Sequence, residues 1–372
     1  MYRFLAFSLA CSSCAFGQGS IIVNGHLDLS FNYEFSNTSW NLEIAHGDFD
    51  APLRSPFNEV ALPLRDFPAG SGGERFAVPD SAVFDFLGAD PGEPIWIISQ
   101  TDSGYTWPGF RNDQSDGSLA AYTSIDSRVS QLGDQQWIKI SLVGVNYLGA
   151  GSNPQFSMWQ SASGIQVWGA TSDGIDSTDA YYQFENSHSH VNWGFTEKGV
   201  YQLNLQASAF TGPNQTGLVE STVEGAIFTV GTYATWKAGY FSGAELVSEA
   251  VTGVATDLEG DKVPLLLEYA FNLSPDENDH EYLVASSGTA GLPLVEFNNG
   301  ELSIEYIRRK QETSPDISYM AQYSTDLGDS GWQTISQETV NSIDDTWERV
   351  NITMSTNSAD QYFARVLVRL EP

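Results

Sequence analysis

Beyond its first twenty positions the chain alternates apolar and polar residues in short runs. "GSIIVNGHLDLSFNYEF", "PIWIISQ", "QWIKISLVGV", "QFSMWQ", "GIQVWGA", "GVYQLNLQASAF" and "AIFTVGTYATW" are rich in β-branched and aromatic residues, each bounded by Gly, Pro, Asn, Asp or Ser. A period of two with such boundaries predicts strands that bury one face. One segment breaks the period: "VPLLLEYAFNL", residues 263 to 273, carries helical spacing, with Pro264 suited to a first turn. After it, "ELSIEYIRRK", "SYMAQYSTDL", "WERVNITMS" and "QYFARVLVRL" alternate again. The expected fold class is therefore all-β: an N-terminal β-sandwich, jelly-roll-like, followed by a smaller antiparallel β-sandwich domain with one short helix.

The length of 372 residues exceeds one ordinary core, which also predicts two domains. Tryptophans thin out after "FTVGTYATWKAGYF", and the acidic stretch "ATDLEGDKV" precedes the helix, which puts the boundary near residue 235 and the domains at 18–234 and 235–372. Residues 1–17 read as a signal peptide: Arg3, an apolar run from Phe4 to about Phe16, then Ala15 and Gly17 at the small-residue positions before Gln18. A lipoprotein signal ending at Cys11 fits less well, because Ser8 stands where an aliphatic residue belongs. Both cysteines, Cys11 and Cys14, fall in this segment, so the mature chain is expected to have no disulfide and no thiolate ligand. No later stretch approaches the length of a membrane-spanning helix. The expected location is outside the cytoplasm: extracellular, at the cell surface, or periplasmic.

Charge removes one class of partner. With 47 acidic against 16 basic residues the net charge is −31, which repels phosphate backbones and excludes nucleic acid. Against that background the histidines, only five in number, carry the candidate chemistry. On a strand, residues i and i+2 share a face, so "NGHLDL" presents His26 with Asp28, and "HSH" presents His188 with His190. On neighbouring strands these pairs would form a pocket of three imidazoles and a carboxylate. That set suits a transition metal, Zn²⁺ first, and also accepts Mn²⁺, Fe²⁺, Ni²⁺ or Cu²⁺. Asn192 and Trp193 follow closely enough to orient the imidazoles from behind. The competing reading is a polar surface pair without a metal. His46 reads as a strand-end residue beside a turn, and His280 as solvated.

These motifs carry a resemblance. "NGHLDL", "VPDSAVFDFLGADPGEPIWIISQ", "YTWPGF" and "HSHVNWGFTEKGVYQLNLQASA", in this order, resemble the choice-of-anchor M domain, a bacterial surface-protein module, over about residues 20 to 231. The resemblance implies an exported protein, in some members accompanying metal-type ABC transporters, and no established reaction. It maps the family's signature onto His26, Asp28, His188, His190, Asn192, Trp193, Phe195, Thr196, Gly199 and Tyr201. No sorting signal or membrane tail is evident here, unlike in typical members. More loosely, "DLEGDKVPLLLEYAFNLSP" resembles a C-terminal module of exported proteins from aquatic bacteria. Counted from Asp257, it places Glu259, Asp261, Val263 and Glu268 at the ligand positions of a calcium loop, although Lys262 replaces the glycine of the sharp turn. The plain alternative is an acidic linker facing water.

No GxSxG, HExxH or mature cysteine nucleophile is present, so the expected function is not catalytic. A metal-dependent hydrolase would need an open coordination position and a carboxylate base; Glu185 and Glu197 are nearest in sequence and read as exposed strand-end charges. The leading expectation is an exported metal-binding module serving metal acquisition, with a metal-uptake system as partner. The alternative is a carbohydrate-binding adhesion module that contacts a cell-surface glycan through Trp96, Trp107, Trp159, Trp168 or Trp193, with structural histidines; alternation in "IWI" and "VWGA" favours burial for most of these.

Overall fold

Strict alternation is most visible in the strand Gly199–Gly212, where Tyr201, Leu203, Leu205, Ala207 and Ala209 are buried and the polar residues between them are not. It lies inside a seven-stranded sheet ordered Ile21–Ile22, Val60–Leu64, Glu224–Val230, Gly199–Gly212, Trp137–Leu148, Ala180–Phe184, with Thr216–Glu220 paired to Gly199–Gly212 off that path. The structure is a computed structural model that describes residues 19–102, 104–162, 164–328, 331–355 and 361–372. The expected signal peptide, with Cys11 and Cys14, lies outside the described residues.

Two five-stranded sheets oppose the seven-stranded one. The first runs His188–His190, Trp107–Arg111, His26–Glu34, Ser39–His46, Leu53–Ser55; the second runs Gln166–Ala170, Phe156–Gln160, Asn192–Phe195, Pro94–Ile98, Arg75–Ala77. A single apolar cluster joins all three sheets, with Leu27, Leu29 and Phe110 from the first, Trp193 and Phe195 from the second, and Leu203, Leu205 and Phe228 from the largest. The chain passes from the first small sheet to the second at Val191 alone, which is fully buried. Such facing sheets, each apolar inside, make the expected sandwich.

The C-terminal part is a second, smaller antiparallel sandwich. Four strands, Leu294–Asn298, Glu301–Arg309, Trp347–Ser355 and Thr339–Ser342, face three, Gln333–Thr334, Ile317–Ser324 and Phe363–Leu370, around a core that includes Ile304, Tyr306, Ile317 and Ile352. The expected helix is Leu265–Phe271; Pro264 caps it rather than opening it, and Asn272, at φ 58°, ends it in the left-handed conformation. Three more short helices, Thr232–Ala238, Gly243–Leu246 and Glu249–Thr252, add to the single helix expected. Gly243–Leu246 and Glu249–Thr252, at four residues each, make little more than one turn and register no periodicity, while the start of Thr232–Ala238 falls in "AIFTVGTYATW", read as a strand.

Thr232–Ala238 crosses residue 235, where the composition changes. Its Tyr233 packs in the second core, while Ala234 and Ala238, with Phe241, Leu246 and Leu265, cover Ala61, Val200 and Ile227 on the outer face of the seven-stranded sheet. Lys198 adds an ionic link, its Nζ lying 3.8 Å from Asp66 Oδ2 and 3.5 Å from Asp316 Oδ1. No described helix is long and apolar enough to cross a membrane. Phe241 is fully buried where the helices meet the sheet. Phe241→Ala is therefore expected to cost about 3–5 kcal/mol of stability, read as a lower urea midpoint.

Candidate metal centre

His26 and Asp28 lie on the same strand, where Leu27 and Leu29 between and beyond them point into the core. The sequence reading put the two histidine pairs on neighbouring strands; the structure corrects this, because Trp107–Arg111 runs between them. His26–Glu34 pairs with that strand in parallel, Asp28 opposite Gly109, and His188–His190 pairs with it antiparallel, His190 also opposite Gly109. The flanking strands are thus two spacings apart, about 9.5 Å, and their side chains can meet only over a residue without a side chain. A Cβ at Gly109 would lie 2.5 Å from Asp28 Oδ1, 2.8 Å from the Ser189 carbonyl oxygen and 2.9 Å from His190 Cε1. On the other side Asp28 pairs with Ala45, again small.

Over this gap four potential ligand atoms converge, all within 4.8 Å of one another. His188 Nε2 is 3.0 Å from Asp28 Oδ1, His26 Nε2 is 3.2 Å from His188 Nε2, and His26 Nε2 is 3.7 Å from Asp28 Oδ2. Around a tetrahedral Zn²⁺ with ordinary bond lengths, ligand atoms stand about 3.3 Å apart, and these three spacings bracket that value. The Asp28 carboxylate is fully buried, neither oxygen has a hydrogen-bond partner, and the nearest guanidinium nitrogen, Arg111 Nη1, is 3.7 Å away. His190 Nδ1 is 3.1 Å from the Pro108 carbonyl oxygen, which can only accept, so the proton sits on Nδ1. Its Nε2 is left as a bare lone pair, buried and without a partner.

Burial disfavours the charged form of two of the rings. Burial pushes the His190 imidazole down to about 4, and burial also lowers His26, against the pull of the Asp28 carboxylate. Aromatic rings close the walls: Trp107 stacks on His190 at 3.8 Å with a 4° tilt between planes, and Phe49 lies edge-on to His188 at 5.2 Å. The Arg111 guanidinium packs over the Phe49 ring at 4.6 Å. The side chains of His26 and His188 keep 21% and 27% exposure, so the centre is open to solvent on one side.

The remaining predicted residues divide cleanly. Trp193 donates Nε1–H to the Pro108 carbonyl, the same oxygen that fixes His190, whereas the hydrogen bonds of Asn192 go to Gln100 and to the Trp159 carbonyl. Phe195 is core; Thr196 Oγ1 accepts from the Gln155 N–H, and Tyr201 Oη bonds both the N–H and the carbonyl of Glu197. Gly199, at φ 145°, leaves only 2.8 Å between a would-be Cβ and the Leu148 carbonyl oxygen. His46 is buried beside Ser55 Oγ and outside the cluster; His280 is exposed, with Nδ1 bonded to the Asp261 carbonyl. Glu185, expected as an exposed charge, is instead buried, accepting the Leu119 N–H at Oε1, and burial raises its pKa; Glu197 is half-buried. Trp96, Trp159, Trp168 and Trp193 are buried, and Trp107 is half-buried with one face stacked on His190. Of the calcium-loop positions, Asp257, Glu259 and Asp261 come together, Val263 donates its N–H to Asp261 Oδ1, and Glu268 is buried, pushed up to about 9 by burial and by Glu259, Asp261 and Asp279. The sequence reading missed Gly109, Pro108, Phe49 and Arg111; the first two lie in the quoted "YTWPGF", whose strand can be placed beside the histidines only by tertiary pairing.

No family model matches the chain, and no curated protein matches it. Among solved structures, the secreted serine protease VesC from Vibrio cholerae aligns at 10% identity over 71% of this chain and 50% of that one, with a TM-score of 0.15. The chain thus spans about half the length of that protein, and a likeness at this level carries no argument about fold or activity.

Two outcomes follow from this geometry. Gly109→Ala forces a Cβ against Asp28, the Ser189 carbonyl and His190, so it is expected to cost about 1–3 kcal/mol and to weaken metal uptake at least tenfold, measured by urea unfolding and zinc titration. The pH dependence has a definite sign. An imidazole lowered from 6.5 to about 4 resists protonation in the folded chain, so the metal-free protein should hold His190's contribution above about pH 6.5 and lose it as pH falls toward 4. Urea midpoints in EDTA across that range check this, and His190→Gln should flatten the slope.

Proposed function

We propose that this chain is an exported, non-catalytic protein that binds one transition-metal ion, zinc by preference, through His26, Asp28, His188 and His190. The observation that carries the reading is the spacing of the ligand atoms, 3.0, 3.2 and 3.7 Å among three of the four, in a pocket that also holds the bare, buried Nε2 of His190. Four protein ligands saturate a tetrahedral ion, which is the pattern of a holding site; catalytic zinc sites keep one position for water or substrate. Neither Glu185 nor Glu197, the carboxylates weighed as a base, belongs to the cluster. The solvent-facing edges of His26 and His188 support reversible loading, as metal acquisition at a surface or in a periplasm would require.

The test is metal analysis of the protein purified without chelator, followed by calorimetric zinc titration of the stripped chain. One equivalent of zinc is expected, lost in the double variant His188→Ala, His190→Ala. Asp28→Asn should weaken binding less than either histidine change, because an amide oxygen still coordinates without the charge. Since burial holds His26 and His190 low, uptake near neutral pH should release fewer protons than three ordinary histidines would, read from titrations in buffers of different ionisation enthalpy. Full zinc binding by the double variant, or no zinc bound by the wild-type chain, would overturn the proposal.

A further inference from the structure

A second cluster lies far from the histidines in sequence and differs in chemistry. Between the helices Glu249–Thr252 and Leu265–Phe271 the chain turns through residues 257 to 263, then returns past the second helix through residues 274 to 282. Five buried carboxylate oxygens there have no hydrogen-bond partner: Glu259 Oε1, Asp261 Oδ2, both oxygens of Glu268, and Asp279 Oδ1. Glu268 is 1% exposed and Asp261 6%. Ionised carboxylates buried together without donors repel one another and lose their hydration. The arrangement is nonetheless braced. Asp261 Oδ1 accepts the Val263 N–H, and Asp279 Oδ2 the Ser274 N–H, so in each of these residues one oxygen fastens the loop and the other is left unpaired. Asp257 accepts the N–H groups of Gly260 and Lys262, which curls the loop back on itself.

We propose that Asp257, Glu259, Asp261, Glu268 and Asp279 form a binding site for a hard divalent cation, Ca²⁺. The donors are all oxygen, and Ca²⁺ takes six to eight of them in flexible geometry, whereas Zn²⁺ favours four that include nitrogen or sulfur. Ligand oxygens of Asp257, Glu259 and Asp261 already fall within 4.8 Å of one another. Glu268 comes from the helix, and burial, with the Glu259, Asp261 and Asp279 carboxylates, raises its pKa. Lys262, which replaces the expected glycine, adopts φ 77°, the left-handed turn that glycine would supply, and is exposed. Asp279 is a ligand that the loop spacing alone does not include. The site braces the helix on which two cores meet, since Leu265 packs on the outer face of the large sheet while Tyr269 and Phe271 pack in the second sandwich. An ion there would stabilise the junction of the two units.

The test uses the full chain carrying His188→Ala and His190→Ala, stripped with EDTA, so that the histidine centre contributes nothing. Calcium titration by calorimetry is expected to show one site, and saturating calcium to raise the melting temperature by about 5 °C, with magnesium giving a much smaller shift. Glu259→Gln with Glu268→Gln should abolish the calcium heat and the shift. Asp279→Asn, on a loop that need not disturb the core, should lower calcium affinity roughly tenfold, the loss of one charged ligand. No calcium heat with no shift would overturn the proposal, leaving a carboxyl–carboxylate pair at Glu259 and Glu268. Calcium binding unchanged by Asp279→Asn and by the double substitution would also overturn it.

Discussion

The first site depends on a carboxylate buried beneath three imidazoles. Asp28 has no exposed surface and its Oδ1 lies 3.0 Å from His188 Nε2, and an ion in that position is costly unless positive charge sits beside it. Arg111, at 3.7 Å, supplies a weak partner at best. The other partners are imidazoles, of which burial keeps His26 and His190 neutral. A cation held between them would satisfy the carboxylate and the bare His190 nitrogen together. The strand behind Asp28 is fixed by Leu27, Leu29 and Phe31 in the core, so the carboxylate cannot turn away without pulling apolar side chains out of it.

That rigidity has its source in residues that follow the histidines and lie away from the site. Val191 carries the chain from one sheet to the next, and Trp193 and Phe195 then anchor it against Phe228 at 5.3 and 5.1 Å. Tyr201 ties both polar groups of Glu197, and Gly199 allows the close pass of Leu148. These contacts fix where "HSH" ends, and therefore where its imidazoles point. The Pro108 carbonyl links scaffold to centre in one atom, accepting from Trp193 and from His190. Trp107 then covers the opposite face of the His190 ring.

The all-β class, the two sandwiches and the helix near residue 265 were legible because alternation and helical spacing are local properties of the chain. That His26 and Asp28, and His188 and His190, share a face was legible for the same reason: i and i+2 share a face wherever a strand lies. Strand order was not. Nothing local says that Trp107–Arg111 intervenes between the two histidine strands, and so nothing marked Gly109 as the residue that lets them meet. The burial of Glu185 was hidden likewise, because its partner, the Leu119 N–H, is 66 residues away. Lys262 is a different case. A residue that reads as loss of a turn keeps the left-handed backbone, with its side chain exposed.

The two proposed centres divide metals by donor chemistry rather than by affinity alone. Three nitrogens and a carboxylate, walled by Trp107 and Phe49, favour an ion that bonds imidazole well and accepts four ligands. Five carboxylates without a nitrogen favour an ion that is hard, larger and tolerant of high coordination number. In a chain with 16 basic residues against 47 acidic ones, general attraction for cations is already strong and unselective. Selectivity must then come from geometry. At the histidine centre it would come from the missing side chain at Gly109, which lets the imidazoles and Asp28 approach one another. At the carboxylate centre it comes from backbone N–H groups that hold one oxygen of Asp261 and of Asp279 and leave the other unpaired.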